Sequence, residues 1–570
     1  MAEKSIIDPV DRIEGHLRIE MEVEDGVVSN AWVSGGLFRG VELIAQGREP
    51  HDVALMVQRI CGVCPTSHCH ASVYAAEEAY GITHPEGARL VRNILEGAQF
   101  LHSHILWFYT LNALDYVNPL NALNADPEAA TEFAEKNGMH VSDFAAVQER
   151  LKTFAENGQY SWLSGGWFME GQAPDAYKLP AEVDLIATAH YIEALDAQAT
   201  ADEISAIIGG KMPHVMTSRP GGTAFYPTVD RLDDVLSRVK QLKTFIEGTM
   251  LPDALNIAKA YRTAAPELDS VGFNGHGNFM AYGVFEAEMP EGATEYDHSK
   301  RLIPPGIVRI NPETGEIKKE ELDASKIEEQ IEHSYYDAYS NGADSLAPLE
   351  GETNPPKEFP GYDTSAKYSW CKAPRYNGEV MEVGPLARMI VAYANGVQDV
   401  VERMDYAKKF LGFSDLTQFD SLIGRMAARP VEAAVVVNNM EEWVTSLVKY
   451  LAEGGTDFFT EPARTTGEGT GLWEAPRGAV LHCEKVKDNK ITHYQAVVPT
   501  AWNISPRDKD DIAGTIEQAL IGTPVDNVEA PINALRIVHG YDPCVACAIH
   551  VAEPKTGKEF KLHTTPWGGR

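Results

Sequence analysis

The hydrophobic and polar positions along the chain switch between two periods. Over residues 16–33, Leu17, Ile19, Met21 and Val23 alternate with Arg18, Glu20 and Glu22. Asp25-Gly26 then supplies a turn before Val27, Val28, Ala31 and Trp32, so the pattern predicts a β-hairpin. Short β-like runs return in the last third, at 478–484, 493–499 and 533–539. Elsewhere the helical period dominates. Residues 52–60 and 70–80 read as helices, and a long helix is predicted over 87–116, where Leu90, Ile94, Leu101, Ile105 and Phe108 recur at helical spacing. Helical patterns follow at 181–208, 229–262, 386–411 and 431–453. Polar or Pro/Gly-rich stretches at 118–180, 285–306 and 340–366 read as insertions or surface loops, and the charged stretch 318–334 as a solvated helix. No repeat or strong linker divides the sequence. The expected fold class is α+β, mostly α: one large domain with a central long-helix bundle and peripheral short β-sheets.

Composition narrows the class of protein. A chain of 570 residues with 44% hydrophobic and 23% charged residues can bury a sizeable core and has an ordinary globular balance. No stretch approaches the roughly 18 consecutive apolar residues of a membrane span. The start, Met1 to Pro9, has no apolar run of the signal-peptide kind, so none is expected on this chain. A net charge of −34 argues against nucleic acid or an anionic membrane surface as partner.

The cysteines change the picture most. There are seven: Cys61, Cys64, Cys69, Cys371, Cys483, Cys544 and Cys547. An odd, small number rules out a disulfide scaffold. Cys61/Cys64 and Cys544/Cys547 have C-x-x-C spacing, one pair near each end. Such a turn presents two thiolates to one ion, and two turns suit zinc, iron–sulfur or another thiophilic metal. A structural zinc site usually staples a short module, often with about 15–20 residues between the pairs. Pairs at opposite ends instead imply a metal in the middle of the whole fold. A thioredoxin-like role lacks its strand–turn–helix setting. Gly272-Phe273-Asn274-Gly275-His276-Gly277 and Gly467-Glu468-Gly469-Thr470-Gly471 are glycine-rich, but neither follows a clear strand, opens a helix and has a later acidic partner, so nucleotide binding is not expected.

Both cysteine stretches are specific. Arg59-Ile60-Cys61-Gly62-Val63-Cys64-Pro65-Thr66-Ser67-His68 and Asp542-Pro543-Cys544-Val545-Ala546-Cys547-Ala548-Ile549-His550 resemble the two signatures of the [NiFe]-hydrogenase large subunit, R-x-C-G-x-C-x-x-x-H and D-P-C-x-x-C-x-x-H. Further stretches agree in order: Arg12 to His16, Phe38 to Glu42, Gly209 to His214, Lys372 to Arg375, Glu382 to Arg388 and Glu474 to Gly478. The resemblance implies a nickel–iron centre whose iron carries CO and cyanide. Cys61 and Cys544 would be terminal nickel ligands, and Cys64 and Cys547 would bridge to iron. Soft thiolates suit nickel, and a Lewis-acidic metal with a nearby base splits H₂ heterolytically. By the same resemblance Arg477, after Pro476, sits above the metals and stabilises anionic ligands and developing charge. Thr500 would donate its hydroxyl to a cyanide nitrogen. Glu14 would carry the first proton, and His68 would orient or hydrogen-bond a ligating thiolate. Glu42 and His550, with the Ala496 carbonyl, would hold a hard cation such as Mg²⁺. His102, His104 and His214 are expected to be structural, and Cys69, Cys371 and Cys483 to be ordinary buried thiols.

One departure from the family pattern matters. Many relatives have H-D-H on the long helix, whereas this sequence has His102-Ser103-His104. Serine cannot pair ionically with Arg477, so a looser or differently hydrogen-bonded pocket is expected.

The resemblance also bears on organisation and partners. Residues 1–550 would form the large-subunit domain. Residues 551–570 would be an extension removed by a maturation protease acting after His550. No cysteine set is left for iron–sulfur clusters, so a cluster-bearing small subunit is implied as heterodimer partner and electron acceptor. H₂ uptake at the cell envelope, with export through the partner's signal, is the expected setting; a cytoplasmic location is the alternative. Competing readings are an H₂-sensing relative, a structural Zn(Cys)₄ protein and a non-enzymatic respiratory relative that lacks the cysteine quartet.

Overall fold

The computed structural model describes residues 3–159 and 174–545. The chain opens with an antiparallel sheet of β1 (Glu3–Ile7), β2 (Leu17–Glu24) and β3 (Val27–Gly35). The predicted hairpin is β2–β3, with Leu17, Ile19 and Met21 turned into the core. Short helices α1 (Val41–Ala45) and α2 (Pro50–Met56) lead to α3 (Pro65–Tyr80) and the long α4 (Glu86–Ile105). The chain continues α4 through a π turn over Leu106–Asn112 and a tight turn over Ala113–Asp115, so the helical path matches the predicted 87–116.

The centre is a bundle of α4 with α7 (Ala181–Gly209), α8 (Val229–Phe245), α9 (Leu251–Ala264) and α12 (Leu422–Ala452). Helix α4 is buried almost all round, including Arg92, Glu96 and His104. Each of these has a partner: Glu77, His70 and Glu432 respectively. Buried polar groups persist where such partners compensate their lost hydration.

Between α4 and α7 lie α5 (Pro127–Asn137) and α6 (Phe144–Glu156), inside the stretch 118–180 read as loop. Asp126 and Asp143 cap them, and Ala130, Ala134, Phe144 and Leu151 bury against α7 in a small satellite core. The polar faces of these helices outweigh a narrow apolar stripe, which hid their period.

Two further expectations are corrected. The charged stretch 318–334 is not a solvated helix. After β4 (Ser218–Arg219), β5 (Gly222–Thr223), β6 (Asn278–Ala281) and β7 (Gly306–Ile310), it contributes β8 (Ile317–Glu320) and β9 (Ile327–Gln330). Ile327 and Glu329 point inward from β9, and Lys372 neutralises Glu329 at 3.1 Å. Strands β10 (Ser345–Leu346) and β11 (Ala373–Tyr376) flank β9. The run 533–539 is not a strand but lies in a helix, Ile532–Tyr541; a short apolar run does not distinguish the two periods. The helical stretch 386–411 breaks at Asn395-Gly396 into α10 (Pro385–Ala394) and α11 (Gln398–Leu411).

The last sheet positions the site. It is the meander β12 (Gly467–Ala475), β13 (Gly478–Lys487) and β14 (Lys490–Val497), followed by α13 (Pro499–Asn503), α14 (Thr515–Leu520) and α15 (Ile532–Tyr541). Gly467, Gly469 and Gly471 share one face of β12, and α3 lies on them. A Cβ at these glycines would stand 2.2, 2.0 and 1.9 Å from the carbonyl oxygens of Ala79, Ala75 and Ala71. Steps of two along the strand match steps of four along the helix, at about 6–7 Å each. The glycine run is therefore a bed for α3, which carries the first cysteine pair at its leading end.

Candidate metal centre

A tight turn over Val57–Ile60 delivers Cys61 in extended conformation, and Cys64 precedes Pro65, the first residue of α3. The Cys61 sulfur accepts the Val63 and Cys64 N–H groups at 3.2 and 3.3 Å. Backbone N–H donors and a helix N-terminus both favour thiolate over thiol. At the other end of the chain, α15 stops at Tyr541 because Asp542 takes the left-handed conformation at φ 55°. Pro543 then turns Cys544 inward, and Val545 N–H donates to the Glu14 carbonyl at 2.7 Å.

The two ends meet there. Cys61 and Cys544 sulfurs stand 3.1 Å apart, and those of Cys61, Cys64 and Cys544 all lie within 4.8 Å of one another, fully buried. Three thiols this close in a dry interior cannot all ionise without a cation among them. The donor set is soft and fits a thiophilic metal. Cys547 and His550 lie outside the described residues.

The surrounding groups converge on the same point. The Cys544 thiol lies 3.2 Å from a Glu14 carboxylate oxygen. Thr500, in the first turn of α13, accepts the Cys544 N–H at 3.0 Å, which leaves its hydroxyl hydrogen to donate elsewhere. Arg477 sits at the β12–β13 turn and is 2% exposed. It pairs with Asp542 at 2.9 Å and donates to the Ser103 hydroxyl at 3.2 Å. Burial works against its charge, but Asp542, Cys544, Cys64 and Cys61 outweigh burial and hold the guanidinium more firmly protonated than usual. Asp542 also meets Arg429 at 3.1 Å, so the ionic partner that Ser103 cannot provide comes from the residue two before Cys544. Pro476 is fixed through its carbonyl, which accepts Arg388 at 2.7 Å; Arg388 also holds the Ala475 carbonyl, Glu432 and Glu474. Neither Asp542 nor Arg388 is singled out by the sequence reading, although both lie inside its motifs.

Also on α3, His68 has its Nδ1 3.0 Å from His482 Nε2, and His482 Nδ1 is 2.6 Å from the Tyr494 hydroxyl. Burial pushes His68 down to about 4, against the Cys61 thiolate and with help from Arg39, so its ring is neutral near pH 7. Glu42, on α1, accepts the Ala496 backbone N–H at 3.1 Å and the Thr353 hydroxyl. Gln495, Lys372 and Glu329 complete that polar nest. His102 lies 3.6 Å from Asp202, and His104 is bound to Glu432 at 2.8 Å. Cys69, Cys371 and Cys483 are buried free thiols.

Comparison with known proteins agrees with this geometry. The profile of the family described as Nickel-dependent hydrogenase matches residues 39–550. The chain is 37% identical to the Hydrogenase-2 large chain of Escherichia coli (strain K12), over 97% of this chain and 98% of that one. It is likewise 37% identical to the uptake hydrogenase large subunit of Rhizobium leguminosarum bv. viciae, over 96% and 95%. Among solved structures, the reduced Ni-Fe-Se hydrogenase of D. vulgaris Hildenborough superposes with a TM-score of 0.77 at 34% identity, covering 96% of this chain and all of that one. The chain belongs to the nickel-dependent hydrogenase family. It is a large, catalytic hydrogenase chain, an oxidoreductase acting on H₂. Among the described residues no helix is long and apolar enough to cross a membrane.

Proposed function

We propose that this chain catalyses H₂ uptake at a nickel–iron centre held by Cys61, Cys64, Cys544 and Cys547. The observation that carries the reading is the meeting of sulfurs from both ends of the chain under Arg477 and beside Glu14. Cys61 and Cys544 would serve nickel alone, and Cys64 and Cys547 would serve both nickel and a CO- and cyanide-bearing iron. When bound, that pair supplies the Lewis-acid and redox chemistry that polarises H₂ and accepts its electrons.

The chain's own residues do the rest. Glu14, at hydrogen-bond reach of the Cys544 sulfur, takes the proton and passes it outward. Arg477 keeps its charge through Asp542 and neutralises anionic ligands and the charge that develops on H₂ cleavage. The Thr500 hydroxyl would donate to a cyanide nitrogen, and Pro476 would wall the same pocket. His68 fixes a ligating thiolate. Glu42, the Ala496 carbonyl and His550 would hold a hard cation such as Mg²⁺. Electrons leave through an iron–sulfur small subunit, and the heterodimer works at the cell envelope.

Metal analysis with infrared spectroscopy of the purified complex tests the reading. Nickel and iron near one each per large chain, with CO and cyanide bands, are expected; zinc alone, or no such bands, overturns it. Weighed intact, the same large chain is expected to end at His550, without residues 551–570.

A further inference from the structure

Glu14 stands on a segment that no helix or sheet ladder holds. Residues 8–16 join β1 to β2 without regular structure, apart from a single bridge between Glu14 and Cys544. Arg12 takes the left-handed region at φ 48°, and Gly15 follows at φ 90°. A non-glycine residue keeps that conformation only where its surroundings fix it. A side chain on such a loop is placed by whatever ties the loop down, so those ties also set the distance from Glu14 to the Cys544 sulfur.

The ties meet at one buried carboxylate. Asp115 ends the helical path of α4, in the tight turn over Ala113–Asp115, and is 1% exposed. Its two oxygens serve two different elements. One accepts from the Arg12 guanidinium, which also donates to the Leu111 carbonyl at 3.0 Å. The other lies 2.6 Å from His539 Nδ1 on α15. The second ring nitrogen of His539, Nε2, lies 2.9 Å from the Asp11 carbonyl, so one imidazole grips both Asp115 and the loop. Arg536, a turn earlier on α15, donates to the Asp115 carbonyl at 3.1 and 2.8 Å. The Trp107 indole donates to the His539 carbonyl at 2.7 Å, which binds α15 to the same end of α4. Burial works against the Asp115 charge, but Arg12 and His539 outweigh it and hold the carboxyl below its usual range.

Helix α15 is also the element that delivers Cys544. Glu14 and Cys544 therefore hang from one knot, Glu14 two residues after Arg12 and Cys544 five residues after His539. We propose that Asp115 is a positioning residue for proton transfer at Glu14: by binding Arg12 and His539 together, it locks the loop that carries Glu14 to the helix that carries Cys544. This rests on the reading of Glu14 as the first proton carrier. Asp115 acts through its two partners and carries no proton itself. Transfer requires hydrogen-bond reach, and a displacement of about 1 Å can cost roughly 10²-fold.

The test compares the complete metal-loaded complex as wild type, Asp115→Asn, Arg12→Lys and Glu14→Gln. Two rates are read. Exchange of D₂ with water requires the proton to leave the centre, whereas conversion of para-H₂ to ortho-H₂ requires only that the bond break and re-form there. Asp115→Asn keeps the side-chain shape but removes the charge and turns an NH₂ toward one of the two partners. It is expected to lower exchange on the order of tenfold or more while conversion, nickel content and the CO and cyanide bands stay at wild-type values. Arg12→Lys keeps the charge but loses the fork that spans Asp115 and Leu111. It is expected to give the same split, and it serves if Asp115→Asn fails to assemble. Wild-type exchange in these variants overturns the proposal, because Glu14 is then held without Asp115. A parallel fall of exchange and conversion, or loss of nickel from both variants, also overturns it, because Asp115 then supports the whole metal seam. The parent reading is checked separately: Glu14→Gln should show the same split more deeply, and wild-type exchange in that variant removes Glu14 as the carrier.

Discussion

Arg477 is a full charge in a place from which burial ordinarily expels charge. Its motif was legible: Glu474-Ala475-Pro476-Arg477-Gly478 stands where the family pattern puts it. What holds it was not. Asp542 is one of 83 acidic residues, and its pairing with Arg477 and Arg429 exists only because α15 ends in a left-handed residue that swings it under the β12–β13 turn. Ser103 takes only a hydrogen bond from Arg477, and the ion pair that Arg477 makes is with the aspartate of the second cysteine signature, far away in sequence. This arrangement makes a sharp prediction for Arg477→Lys. Lysine keeps the charge but lacks the planar fork that faces Asp542 and Ser103 together. H₂ oxidation is expected to fall roughly 10²-fold or more, as when a preorganised donor is removed from a developing anion. Nickel content and CO and cyanide bands should persist. Loss of nickel in this variant would show that Arg477 serves assembly instead of chemistry.

At the scale of elements, what the sequence made legible depended on how many residues shared one period. The long helices and the β2–β3, β13 and β14 strands were readable because ten or more positions, or a strict alternation with a turn signal, agreed. The amphipathic α5 and α6 were lost among polar residues. Strands β8 and β9 were lost because their charges suggested solvent, whereas Glu329 is buried against Lys372. Strand β12 was hidden by its glycines, whose purpose is visible only with α3 in place. That close approach is testable. A methyl group at Gly471 would stand 1.9 Å from the Ala71 carbonyl, a backbone atom that cannot rotate away. Gly471→Ala is therefore expected to lift the leading turns of α3, at a cost of about 1–3 kcal/mol typical of overpacking. Because Cys64 and His68 ride on those turns, nickel occupancy falls with stability. Glu468→Ala, on an exposed position of the same strand, should change neither; thermal melts and metal analysis of both variants decide the point.

Across the whole molecule the centre acts as a clasp. Cys61 and Cys64 come from the start of the chain and Cys544 from its far end, and Glu14 is joined to the latter through its carbonyl and its carboxylate. The helical bundle of α4, α7, α8, α9 and α12 is held mainly by apolar contacts and by pairs away from the junction, such as His104–Glu432, although Arg429 of α12 reaches the junction through Asp542. The junction itself gathers thiolates, Arg477 and Asp542 around one point, and thiolates without a cation repel one another. A bound metal therefore closes a loop of several hundred residues, and a link across even a 100-residue loop is worth about 4–5 kcal/mol in unfolded-chain entropy. Protein made without nickel should consequently keep a folded bundle but lose order at the seam. Hydrogen exchange followed by peptide mass analysis reads this directly. Peptides spanning 12–17, 59–64 and 541–545 are expected to exchange much faster in the nickel-free chain, with those from α4 and α12 nearly unchanged. Uniformly faster exchange would mean that the metal supports the entire fold, and no difference at all would mean that the seam closes on protein contacts alone.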